Sequence, residues 1–181
     1  MHLPWGWSQA TEIQVDKSQK NLVRFISDAP IEDFDGTTNE IDGYAIWEGN
    51  EPLQKSEIYL EVDLASIDTG IGLRNRHMRE HYLETDKYPR AEYSGKLTKA
   101  EKQSDTVYKV ATEGKMTIHG VENPFAAEGT VTVDGMLFRV QVSFPIKLSD
   151  YKIKIPKIMF YKIDETMDLQ LNFYLRQTKE Q

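Results

Sequence analysis

Ile58, Leu60, Val62 and Leu64 alternate with Glu57, Tyr59, Glu61 and Asp63. The same beat returns as Met167, Leu169, Leu171, Phe173 and Leu175 set against Asp168, Gln170, Asn172 and Tyr174. A strand sends successive side chains to opposite faces, so a period of two gives each stretch one apolar and one polar face. Strands of this kind share a core on one side only, which is the behaviour of antiparallel sheets. Further strands are expected near 11–16, 21–27, 41–48, 90–98 and 106–119. About eight or nine strands with short connections, and no alternation of strand with helix, predict a mainly β fold: a single antiparallel β-barrel. Gly36, Gly43 and Gly49 interrupt the early strands, where bends or bulges are expected.

The clearest hairpin is Thr130 to Val140. Asp134-Gly135 supplies the two positive-φ positions of a type I′ turn, which sets Val133 opposite Met136 and Val131 opposite Phe138. The apolar face then continues through Val140, Val142 and Phe144. One short helix is expected over about 71–84, where Leu73 with His77 and Met78 with Tyr82 form i,i+4 pairs.

A chain of 181 residues, 39% hydrophobic and 28% charged, suits one globular domain with a sizeable core. A formal charge of −7 argues against nucleic acid, whose binding rests on Lys and Arg. The absence of cysteine excludes a disulfide framework and thiolate chemistry. No apolar run approaches the length of an integral membrane segment. Ser8 and Ala10 have the small-residue spacing of a signal-peptidase site, without the basic and apolar regions of a whole signal peptide. Residues 1–10 are therefore expected to be a signal-peptide remnant or tail ahead of a domain over 11–181.

Three constellations invite chemistry. His77 and His81 share a helix face and, with His119, could make a three-histidine zinc site. Met78 stands where a metalloprotease would carry its Glu, so the general base is missing. Ser66, Asp68 and His119 lack the G-x-S-x-G elbow of a hydrolase. Asp68 and Thr69 are better read as accepting backbone N–H groups where strand gives way to helix. Arg74, His77 and Arg79 either pin the helix to the barrel rim or meet an anionic head group. Neither an enzyme nor a cofactor is expected.

Ser66-Ile67-Asp68-Thr69-Gly70 is followed by Arg74-Asn75-Arg76-His77-Met78, Tyr82-Leu83-Glu84, Lys87-Tyr88-Pro89, Met116-Thr117-Ile118-His119-Gly120-Val121 and Pro124. In order and spacing these blocks resemble the YceI-like family, whose members are lipocalin-like barrels that bind polyisoprenoid and related long-chain amphiphiles. The resemblance covers about 20–175, strongly over 56–125. It departs from the family pattern at Asn75, where Asp is usual, and over Gln19 to Phe34, where two family histidines are missing.

Alternation does not distinguish a filled barrel, acting as a structural or interaction module, from one holding a ligand. The resemblance implies the second: binding or transport of a long-chain isoprenoid or other amphiphilic lipid in an apolar tunnel, in a periplasmic or secreted protein. A homodimer is compatible with this reading. The lining would then be Phe25, Ile58, Leu60, Val62, Tyr93, Gly114, Met116 and Ile118 on one set of strands. Phe138, Val140, Leu169, Leu171 and Phe173 would complete it, with Arg74, His77, Met78, Tyr82 and Leu83 at the mouth. Gly114 is expected to leave room on an otherwise bulky strand.

Overall fold

The computed structural model describes residues 10–30, 33–48, 55–158 and 161–178. Residues 1–9, most of the expected leader, and Gly49 lie outside the described residues; Ala10 already belongs to the first strand. The strands are β1 (Ala10–Val15), β2 (Leu22–Ser27), β3 (Phe34–Thr38), β4 (Ile41–Glu48), β5 (Ser56–Asp63) and β6 (Arg90–Lys102). They continue as β7 (Val107–Ile118), β8 (Val121–Asp134), β9 (Leu137–Lys147), a two-residue pair β10 (Lys157–Ile158) and β11 (Tyr161–Lys162), and β12 (Thr166–Gln177).

Pairing in the order β1-β4-β5-β6-β7-β8-β9-β12 returns from β12 to β1, so eight antiparallel strands close a ring. The barrel expected from alternation is present, and the two strands that revealed the beat are β5 and β12. One edge of β12 is shared: Leu175–Gln177 pair with β1, and Met167–Asn172 pair with β2. The hairpin of β2 and β3 therefore widens one end of the barrel, and Thr37 bridges to Asp68 there. At that same end lie the β5–β6 connection, the β7–β8 turn and the β9–β12 connection, since Asp63 pairs with Arg90, Ile118 with Val121 and Lys147 with Thr166.

The β8–β9 hairpin differs from its expected register. Asp134 pairs with Leu137, Val133 with Phe138 and Val131 with Val140. Gly135 has φ 59° and Met136 is not left-handed, so the loop is Gly135-Met136, as in a type II′ turn that needs glycine first. Each partner moves by two positions, so the apolar face is unaltered. The type I′ signature occurs instead between β7 and β8, where His119 (φ 53°) and Gly120 (φ 72°) are both left-handed.

Beyond Gly129 and Val142, β8 and β9 part company: β8 keeps only β7, and β9 keeps only β12. Pro124 sits in this half of β8, where a missing N–H costs a strand least. The Phe125 and Phe144 rings, 4.7 Å apart, meet across the seam.

The expected helix is two pieces, an α-helix α1 (Gly72–His77) and a π-turn over Met78–Tyr82, ended by Glu84 in a left-handed conformation (φ 48°). Buried side chains gather in two clusters. Met116, Ile118, Leu148, Tyr151 and Ile163 belong to the one at the helical end, and Ile13, Ile41, Phe173 and Leu175 to the other.

Candidate functional site

The inward faces line one elongated cavity of about 970 Å³, at the upper end of the range for small-molecule sites. β5 contributes Ile58, Leu60 and Val62, β6 Tyr93, and β7 Met116 and Ile118. β9 adds Phe138 and Val140, and β12 adds Leu169, Leu171 and Phe173, with Phe25 from β2. Arg74, His77, Met78, Tyr82 and Leu83 reach it from the helical segment. All of these were expected in the lining.

Gly114 is the exception and needs correction. It pairs with Gly95 and does not reach the cavity. A side chain there would collide with the Ser94 carbonyl oxygen and lie 2.5 Å from the Gly95 Cα. The Tyr93 ring covers Gly95 in turn. These glycines bring β6 and β7 together; they do not make room for a ligand.

Alternation also continues through residues that went unread. Phe125, Ala127, Gly129 and Val131 of β8 line the cavity, as do Trp47 and Phe144. The signal was present at odd positions from 121 to 133, masked by small residues and by Pro124. In the wall Tyr93 donates to Thr112 Oγ1 at 3.0 Å, and burial pushes its phenol up from the ordinary range.

The lining is most exposed at the helical end, which we take as the cavity mouth. Of the lining residues, those that are also exposed are Ile71, Leu73, His77 and Lys157 at that end, and Glu128 beside the β8–β9 seam.

The recurring motif residues chiefly build this end. Asn75 Oδ1 accepts from the backbone N–H and hydroxyl of Thr69 at 2.8 and 2.6 Å, while its Nδ2 donates to Asp68 Oδ1 at 2.8 Å. That bond and one from Gly70 N–H hold the Asp68 carboxyl below the usual range. Asp68 thus accepts a backbone N–H as expected, whereas the Thr69 hydroxyl is held by Asn75 and Arg74 instead. Arg74 donates to Thr69 Oγ1 at 3.0 Å and Thr69 O at 2.8 Å, with its guanidinium 4.5 Å from the Phe34 ring centre. Arg74 therefore pins the loop while facing the cavity, and Arg79 reaches the Ala65 carbonyl at 3.4 Å.

His119 is held away from the cavity mouth. Its Nδ1 lies 3.1 Å from the Tyr151 carbonyl and its Nε2 lies 2.7 Å from Glu84 Oε2. The Tyr88 ring packs edge-on against it at 4.7 Å. The His77 and His81 rings lie 5.5 Å apart, tilted by 50°, without it, so the three-histidine constellation is not assembled. Among the described residues no cluster of three or more His, Asp or Glu is placed to hold a metal. Nor is the imagined triad assembled: Ser66 Oγ is bonded to Thr38 Oγ1 and to the Asp63 carbonyl.

A family model described as YceI-like domain matches residues 13–175. No curated protein matches the chain by sequence. Among solved structures, BcnA of Burkholderia cenocepacia is similar at 19% identity and TM-score 0.70, over 88% of this chain and 98% of that one. A polyisoprenoid binding domain from Saccharophagus degradans, implicated in plant cell wall breakdown, is similar at 18% identity and TM-score 0.67, over 94% and 100%. The Campylobacter jejuni YCEI protein follows at 16% identity and TM-score 0.54, over 99% and 90%. At these identities the structures share the fold.

Proposed function

The chain belongs to the YceI-like family, and from that premise we propose that it is a non-enzymatic carrier, holding a long-chain isoprenoid or similar amphiphilic lipid lengthwise in its barrel. The observation that carries this reading is the cavity of about 970 Å³ with its almost wholly aliphatic and aromatic wall. The Saccharophagus degradans neighbour is named for the same ligand class. Burying one methylene contributes about 0.8 kcal/mol, so a five-carbon unit contributes up to about 4 kcal/mol gross. Lost chain and translational freedom offsets much of that. Two or three buried units still suffice for useful affinity without a hydrogen bond.

The competing reading, a filled barrel acting as an interaction module, needs inward side chains that close on one another; here they face a cavity. Residence in the periplasm or outside the cell, and carriage between sites, belong to the same proposal. No helix among the described residues is long and apolar enough to cross a membrane.

Titration with isoprenoids of increasing length, each carrying two different head groups, tests the reading. Affinity should climb with length and respond weakly to the head group. Affinity indifferent to length but changed a hundredfold by the head group would overturn it. Mass spectrometry of an organic extract of protein purified from its host should identify a long-chain lipid.

A further inference from the structure

The surface around the cavity mouth is built differently from the rest of this acidic molecule. Five large hydrophobic residues are exposed among the described residues: Leu22, Ile71, Leu73, Met136 and Tyr161. Ile71, Leu73 and Tyr161 all lie in connections at the helical end, about half or more exposed at 50%, 54% and 58%. Ile71 and Leu73 also line the cavity, together with Pro156 and Lys157. Ile71 and Leu73 therefore border the opening through which a ligand would pass, with Tyr161 on the neighbouring β10–β11 pair.

Lysines are concentrated in one segment beside them, where Asp150, Asp164 and Glu165 are the carboxylates of the same connection. Residues 147–162 hold five lysines and one aspartate, in a chain whose formal charge is −7. Lys152, Lys154, Lys157 and Lys162 are exposed, while Ile153 between the first two is buried, so the segment turns its lysines outward. Among the described residues none of these four is within ion-pair distance of a carboxylate, whereas Lys147 is held by Glu165 at 3.2 Å. Unpaired lysines flanking exposed apolar side chains suit an interface between water and anionic lipid, where the apolar groups enter the head-group boundary and the ammonium groups meet phosphate.

We propose that the helical end of the barrel docks on an anionic phospholipid bilayer, with the cavity mouth against the membrane. Ile71, Leu73 and Tyr161 enter the interface, and Lys152, Lys154, Lys157 and Lys162 supply the attraction. The negative charge on the rest of the molecule then favours this one orientation. Docking in this manner does not depend on what the cavity holds.

The test is co-sedimentation of the whole chain with vesicles of phosphatidylcholine alone or phosphatidylcholine with phosphatidylglycerol. Binding should require phosphatidylglycerol and weaken as salt is raised. The triple variant Lys152→Glu, Lys154→Glu, Lys162→Glu should lose about thirtyfold or more in vesicle affinity. None of those three lines the cavity, so uptake of an isoprenoid from solution should be unchanged. The pair Ile71→Ser, Leu73→Ser should also lose vesicle binding, with the fold checked by circular dichroism. A charge reversal at the opposite end, Lys109→Glu, should have no effect. Equal binding to both vesicles, binding to neither, or triple-variant binding equal to wild type would overturn the proposal. A protein that docks on vesicles but takes up no isoprenoid would instead overturn the carrier reading alone.

Discussion

Glu84 Oε2 and His119 Nε2 lie 2.7 Å apart, and both residues are left-handed, at φ 48° and 53°. The bond joins the end of the helical segment to the β7–β8 turn and packs Lys87-Tyr88-Pro89 against His119-Gly120. A side chain at Gly120 would lie 2.6 Å from the Tyr88 ring. The other imidazole nitrogen faces the Tyr151 carbonyl, so one ring ties together three connections of the helical end.

The His119 bond, with help from Lys87, holds the Glu84 carboxyl below its ordinary value. A depressed carboxyl contributes stability that is present above its unfolded pKa and lost as pH falls through the folded one. Glu84→Gln should therefore unfold at a lower temperature than wild type near neutral pH, and the two curves should converge in acid. Melting curves across the acid range check this.

Asp16 makes a second acid-sensitive tie. It accepts from the Ser18 amide and hydroxyl and from Arg176 Nε at 2.7 Å, which lowers its pKa from 3.8 to about 2. Its contribution is complete above 3.8 and disappears as pH falls towards about 2. Asp16→Asn should flatten the acid limb of the stability profile, measured by denaturant titration at successive pH values.

Gly114→Leu should destabilise the barrel by about 2–3 kcal/mol, because the side chain meets backbone and not open space. Ala127→Phe, which projects from the lining of β8, should instead leave the barrel folded while lowering isoprenoid uptake. Denaturation and uptake measured on both variants separate the two effects; a folded Gly114→Leu barrel of wild-type stability would contradict the packing described.

Ser27 is fully buried, and its hydroxyl has no hydrogen-bond partner among the described residues. An unsatisfied buried hydroxyl costs roughly 1–3 kcal/mol. Ser27→Ala should accordingly be neutral or stabilise by about 1 kcal/mol in equilibrium unfolding. A loss of more than that would mean the hydroxyl is bonded in solution.

The parts legible in the sequence were those where apolar and polar residues trade places cleanly. β5 and β12 alternate over their whole length, and with the 130–140 hairpin they were enough to imply the barrel. β3 was missed because Phe34-Asp35-Gly36-Thr37-Thr38 carries one large apolar residue and is defined by its neighbours β2 and Asp68. The first half of β8 was missed because Pro124 and small residues hide its period. The hairpin register slipped because Asp-Gly suits type I′, and only the observed pairing shows that Gly-Met closes the loop. At the mouth, Ile71 and Leu73 read as ordinary helix residues; only the placement of Leu148, Ile153, Pro156, Lys157 and Ile163 along the same cavity reveals what they surround.

The parting of β8 from β9 beyond Gly129 and Val142 makes the tube a garment fastened for only part of its length. A branched or bulky tail wider than the bore need not unzip any ladder on its way in, because the unfastened stretch is spanned by two phenyl rings and not by amides. On the carrier reading, loading at this seam would ask for rotation of two half-buried rings and would leave the paired ladders on either side of it in place. Exchange of a passenger would thereby be uncoupled from unfolding, and a stable container need not be a slow one.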